Sequence, residues 1–80
     1  MIEIILKDES IYNVEKSDII LVKDNCVEFR HYDTNNGVFA KPVTVWLDLS
    51  FVTAVIVDGT EFIPSNLTSL GDIITEYMNS

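Results

Sequence analysis

The residues that carry most protein chemistry are nearly missing from this chain. Cys26 is the only cysteine, so no intrachain disulfide can form. His31 is the only histidine, and a general base or a metal ligand needs partners converging on it. The three glycines, Gly37, Gly59 and Gly71, stand far apart, which excludes a glycine-rich phosphate cradle. No serine sits in a nucleophile elbow, and Asp24-Asn25 lacks the remainder of a calcium-binding loop. The composition therefore points away from an enzyme and implies no cofactor and no metal.

Basic residues are also scarce. Five Lys and Arg stand against thirteen Asp and Glu, a formal charge of −8. Lys7, Lys16, Lys23, Arg30 and Lys41 are dispersed, each with acidic company. Binding a phosphate backbone calls for clustered cations, so direct nucleic-acid binding and anionic membranes are disfavoured. A basic protein surface is the better-matched partner, because complementary fields speed and orient encounter. The plainer reading of the same charge is solubility. Met1-Ile2-Glu3-Ile4-Ile5 has neither the basic start nor the long apolar stretch of a signal peptide. No apolar run approaches the roughly 20 residues of a membrane-spanning helix. A cytoplasmic, reducing setting is the default expectation.

What the chain has in quantity is apolar and β-prone sequence. Hydrophobic residues make up 48% of its 80 residues, so disorder is not expected. Eighty residues make one domain with a thin core, for which about 3–5 kcal/mol of stability is expected. Ile2 to Leu6 and Ile11 to Val14 read as an N-terminal hairpin. Ile19-Ile20-Leu21-Val22 is a continuous apolar run, which suggests a strand buried on both faces. Asp24-Asn25 then makes a tight turn into a strand from Cys26 to Tyr32. Asn36-Gly37 is the strongest turn signal, with β character resuming from Val38 to Lys41, and Pro42 marks a bulge, a bend or an edge.

The longest β-type run is Val43 to Val57, broken only around Asp48 to Ser50. Alternation puts Val43, Val45, Leu47 and Leu49 on one face and Thr44, Trp46 and Asp48 on the other. Asp58-Gly59 turns the chain into a short last strand, Thr60 to Ile63, closed by Pro64. Beyond it, Leu67, Leu70, Ile73, Ile74, Tyr77 and Met78 fall at helical spacing, predicting a helix over 65–79 capped by Ser65 or Asn66. The expected architecture is mainly β: an antiparallel meander of five or six strands over 1–63, a small partly open barrel with one amphipathic helix packed on it.

The break at Ser50-Phe51-Val52, between a strand ending at Leu49 and another starting at once, resembles the small barrels of SH3-like and Sm-like domains. In those a single helical turn links the fourth and fifth strands. The resemblance spans about Ile2 to Val57 and implies architecture alone. Nothing like the Sm-type Arg-Gly signature follows Val45, and Trp46 is a lone tryptophan inside a strand, so no residue role is carried over.

Two residue pairs invite a catalytic reading and fail it. Asp33 shares strand parity with His31, but a histidine with ordinary polar contacts explains the pair as well. Cys26 and His31 lie on opposite faces of one strand, about 17 Å apart. The more informative feature is apolar surplus. If Ile4, Leu21, Val27, Phe29, Val45, Leu47 and Val55 form the core, then Ile5, Ile20, Val22, Trp46 and Ile56 point outward. Either the C-terminal helix covers them or they form an interface. Trp46, Tyr32, Ile20 and Val22, with Glu28, Asp24 and Asp33, are the candidate interaction residues.

Three functions fit these features. The first is a non-catalytic acidic interaction module that inhibits or regulates a basic protein, with nucleic-acid mimicry as one route. The Ile- and Asn-rich composition fits an AT-rich genome, which extends this to a phage-type inhibitor. The second is a structural homo-oligomer subunit of a phage or bacterial assembly. The third is a small-ligand or nucleotide sponge with a pocket near Trp46, Tyr32 and His31.

Overall fold

In a computed structural model, which describes residues 1–33, 41–67 and 69–80, the chain folds into antiparallel strands with one helix near the C-terminus. The alternating N-terminal segment forms β1 (Ile2–Leu6) and β2 (Ile11–Val14), paired in register from Ile2 opposite Val14. A 3-10 turn at Lys16–Asp18 leads into β3 (Ile19–Lys23), β4 (Cys26–Asp33) and β5 (Lys41–Asp48). Asp24 and Asn25 take the left-handed φ of 52° and 62° that a primed two-residue hairpin needs. The expected turn at Asn36-Gly37 and the first residues of the strand after it lie outside the described residues.

A second 3-10 turn, Leu49–Phe51, joins β5 to β6 (Val52–Val57). The turn forms because Asp48 caps it, accepting a hydrogen bond from the Ser50 backbone N–H at 2.9 Å. The chain thus turns a corner at the one interruption in the longest β run, and β6 returns beside β1. Asp58 (φ 48°) and Gly59 (φ 88°) then turn β6 into the short β7 (Thr60–Phe62).

Among the described residues there are seven strands, in two antiparallel sheets ordered β2-β1-β6-β7 and β3-β4-β5, which do not close into a barrel. The expectation of a mainly β chain with a C-terminal helix holds. The pairing is less local than a meander, because β1 binds both its neighbour β2 and the distant β6.

The core lies between the sheets. Ile2, Ile4, Val14, Val52 and Val55 face Ile19, Val27, Phe29 and Leu47 across it. The helix α1 (Leu70–Met78) closes one side with Leu70, Ile74 and Tyr77 buried. A nine-residue helix has little stability of its own, so this docking holds it. It begins later than expected. Ser69, and not Ser65 or Asn66, is the cap, its Oγ accepting from the Asp72 backbone N–H at 3.1 Å. Leu67 is 96% exposed and lies off the buried stripe. The helix starts where its apolar side first meets the core, at Leu70.

The reading of β3 as buried on both faces is corrected. It is an edge strand, with Ile20 and Leu21 exposed. Ile19 pairs with Phe29, but Leu21 pairs with Glu28 and Val22 with Val27, so Ile20 is an extra residue in a bulge. The bulge reverses the parity of the strand. Leu21, expected in the core, faces outward at 42% exposure, and Val22, expected to face outward, turns inward under α1. There, Val22 and Leu49 each come within 3.5 Å of where a Gly71 side chain would begin.

Candidate functional site

The β3-β4-β5 sheet has a buried face and an open one, and strand alternation assigns each side chain to one of them. Toward the core, Val22, Val27 and Leu47 form one row across the sheet, and Ile19, Phe29 and Val45 form the next. On the open face, Lys23, Cys26 and Asp48 form a row, followed by Leu21, Glu28 and Trp46. Beyond the end of β3 the face continues as Arg30 beside Thr44 and Tyr32 beside Pro42.

Trp46 is 64% exposed at the middle of β5, the largest apolar group left in solvent on this face. Ile20, Leu21 and Tyr32 are exposed with it. The helix docks on the other side of the sheet, against Val22, and leaves this face open. Of the two covers considered for the outward apolar residues, α1 therefore takes Val22 and does not reach Trp46.

Pro42 sits inside β5 opposite Tyr32. Having no N–H, it cannot belong to a hydrogen-bonded pair, so Tyr32–Pro42 is a non-hydrogen-bonded pair. Alternation along the ladder makes Arg30–Thr44 and Glu28–Trp46 pairs of the same kind. Such pairs bring their side chains closest, with Cα atoms about 4.5 Å apart. Glu28 and Trp46 thus project from neighbouring strands as a directly opposed pair on the open face.

The charges on this face are arranged unequally. Arg30 is drawn toward the first 3-10 turn, where its Nη2 donates to the Ser17 carbonyl at 2.6 Å and its Nε lies 3.6 Å from Asp18 Oδ1. The Tyr32 hydroxyl donates to the same Asp18 oxygen at 3.5 Å. Glu28 makes no ion pair with a described residue. Asp48 is held below the usual carboxylate range by the Ser50 backbone N–H and the Ser50 hydroxyl. The open face therefore carries Glu28 opposite Trp46, with Arg30 turned aside and Lys23 one row away beside Cys26.

The other expected residues are spread around this patch. Asp24 lies in the β3–β4 turn, and Asp33 ends β4 with its backbone opposite Lys41. Trp46, Glu28 and Tyr32 come together on one face with Ile20 beside them, while Val22 does not join them. Leu21 is the member that sequence reasoning missed, because only the bulge exposes it.

His31 is half-buried, its ring edge-on to Tyr12 at 5.2 Å. That contact packs it against β2 as part of the structure. Among the described residues, no group of three or more His, Cys, Asp and Glu side chains is placed to hold a metal ion. A groove of about 330 Å³ runs between the β6–β7 turn and α1, and another of about 410 Å³ lies between the β5–β6 corner and the start of α1. Neither includes Trp46, Tyr32 or His31. No described helix is long and apolar enough to cross a membrane. In comparisons with known proteins, the chain matches no family model and shows no significant similarity to a curated protein or a solved structure.

Proposed function

We propose that this protein is a non-catalytic acidic interaction module that binds a basic protein surface through the open face of β3-β4-β5, acting as an inhibitor or regulator of that partner. One observation carries the reading: Trp46, 64% exposed on the edge strand β5, stands directly opposite Glu28 on an open sheet face. A large exposed aromatic ringed by polar groups is the pattern of an interface anchor. The net charge of −8 supplies long-range attraction to a cationic partner. The corner from β5 into β6, with β6 returning beside β1, supports kinship in architecture with SH3-like and Sm-like small barrels and assigns no residue a role.

The test compares the wild-type chain with Trp46→Ala and Glu28→Lys, each immobilised and exposed to a lysate over a salt series. The expected result is a protein retained by the wild type, lost at high salt, and lost from both variants while their circular dichroism is unchanged. Retention of nothing at low salt refutes the proposal. So does retention that Trp46→Ala leaves intact.

A further inference from the structure

The four outermost strands of the two sheets are protected unequally. β2 has four residues and β7 three, too short to template another strand. β3 is kinked by the bulge at Ile20 and carries Lys23. β5 is eight residues long, and its deterrents, Lys41, Pro42 and Asp48, all lie at its ends. Val43 to Leu47 is a regular, uncharged stretch paired only with β4 among the described residues.

The geometry of the edge follows from Pro42. Its nitrogen faces away from β4, so the N–H and C=O groups of Thr44 and Trp46 also face away from β4, toward solvent. These groups accept another strand without disturbing any bond in the ladder.

We propose that β5 receives an extended cationic segment of a partner protein as an added strand, with an Arg or Lys side chain crossing Trp46 to reach Glu28. This deepens the interaction-module reading and rests on it. A residue opposite Trp46 on an added strand lies two interstrand spacings from Glu28, about 9.6 Å between Cα atoms. A long cationic side chain and the glutamate bridge that span between them, with the indole face beneath the charge. Arginine suits the position best, since it stacks on an aromatic face and forks onto a carboxylate. A second copy of this chain is a poor occupant. Each copy carries −8, and the uncharged stretch has no cation to place over Trp46. Extended-segment capture at a sheet edge takes affinity from the main chain and selectivity from alternate side chains, which this edge offers.

The probe is a synthetic nine-residue peptide alternating Thr or Val with Arg, used with a copy N-methylated at alternate residues and a copy with Glu replacing Arg. Titrations are followed by amide shifts and hydrogen exchange of the full chain. The expected result is binding of the Arg peptide, with new protection at the Thr44 and Trp46 amides. N-methylation of the probe should weaken binding by at least about tenfold, the effect of losing two backbone hydrogen bonds. Thr44→Pro removes an N–H that the β4–β5 ladder does not use, so it should keep the circular dichroism spectrum and lose binding to a similar extent. Equal binding of the methylated probe, or protection elsewhere than β5, overturns strand addition while leaving a basic partner at the Trp46 face. Failure of every Arg peptide to bind overturns the added strand, while the lysate test with Trp46→Ala decides the interaction-module reading separately. A dimer in solution that Thr44→Pro abolishes assigns the edge to a second copy and overturns the cationic segment.

Discussion

Ile74 and Leu67 belong to the same helical stripe by spacing, and the fold separates them completely. Ile74 is 0% exposed at the centre of α1, and Leu67 is 96% exposed before the helix begins. Ile74→Val removes one buried methyl. The lost transfer is worth about 0.8 kcal/mol, and the small cavity left behind brings the cost to about 1–1.5 kcal/mol. For a chain of this size that lowers Tm by roughly 4–12 °C, and at a urea m-value near 1 kcal/mol/M it moves the midpoint by about 1 M. Ile74→Ala costs about 2–5 kcal/mol, a loss comparable to the roughly 3–5 kcal/mol expected of so small a domain, so it should leave the chain marginally folded or unfolded. Leu67→Ala, truncating a larger side chain, should stay within about 0.5 kcal/mol of the wild type. Urea titration followed by far-ultraviolet circular dichroism measures all three, Trp46 being too exposed to report on the core. A cost below about 0.3 kcal/mol for Ile74→Val, or above about 1 kcal/mol for Leu67→Ala, would refute the docking of α1 as the source of its stability.

Further outcomes follow from the caps, the turns and the titrating groups. Ser69→Ala removes the N-terminal cap of α1 and should cost about 1 kcal/mol, read as a drop in urea midpoint with faster exchange at the Asp72 amide. Gly59→Ala meets open space but keeps a φ of 88°, so it should cost about 1 kcal/mol, whereas Glu9→Gly relieves a φ of 73° and should gain a few tenths; thermal melts distinguish the two signs. Asp48 and Asp8 are both held below 3.8 by hydrogen bonds from Ser50 and Ser10, so folding binds fewer protons there than unfolding does. Their stabilising contribution is full above the ordinary aspartate range and is lost as pH falls below 3.8 toward the lower folded values. Asp48→Asn keeps an acceptor for the Ser50 N–H but does not titrate, so its urea midpoint should fall less than the wild type's between pH 5 and pH 2.5; an identical fall would refute the role of Asp48.

By itself the sequence determined the parts of the fold that local chemistry governs. Alternation in β1 and β4 shows which side chains face inward, because a strand with one wet face sorts its residues by period two. Asp24-Asn25 and Asp58-Gly59 announce their turns, because few residues accept positive φ. The corner is visible as a break in the longest β run, although the turn forms over Leu49–Phe51, one residue earlier than the expected Ser50 to Val52, because Asp48 caps it.

Other features depend on contacts between distant segments, and only the tertiary structure decided them. The bulge at Ile20 inverts β3, so Leu21 joins Trp46 on the open face and Val22 joins the core. An apolar run such as Ile19-Ile20-Leu21-Val22 carries no polar residue to mark its parity, and pairing with β4 sets the register. The helix start at Ser69 was likewise set by where the core lies, since the apolar stripe continues back to Leu67 without anything to bury it. Trp46 was legible as an outward residue, and its standing beside Glu28 needed the β4–β5 register. That pairing joins residues on separate strands, and no spacing along one strand encodes it.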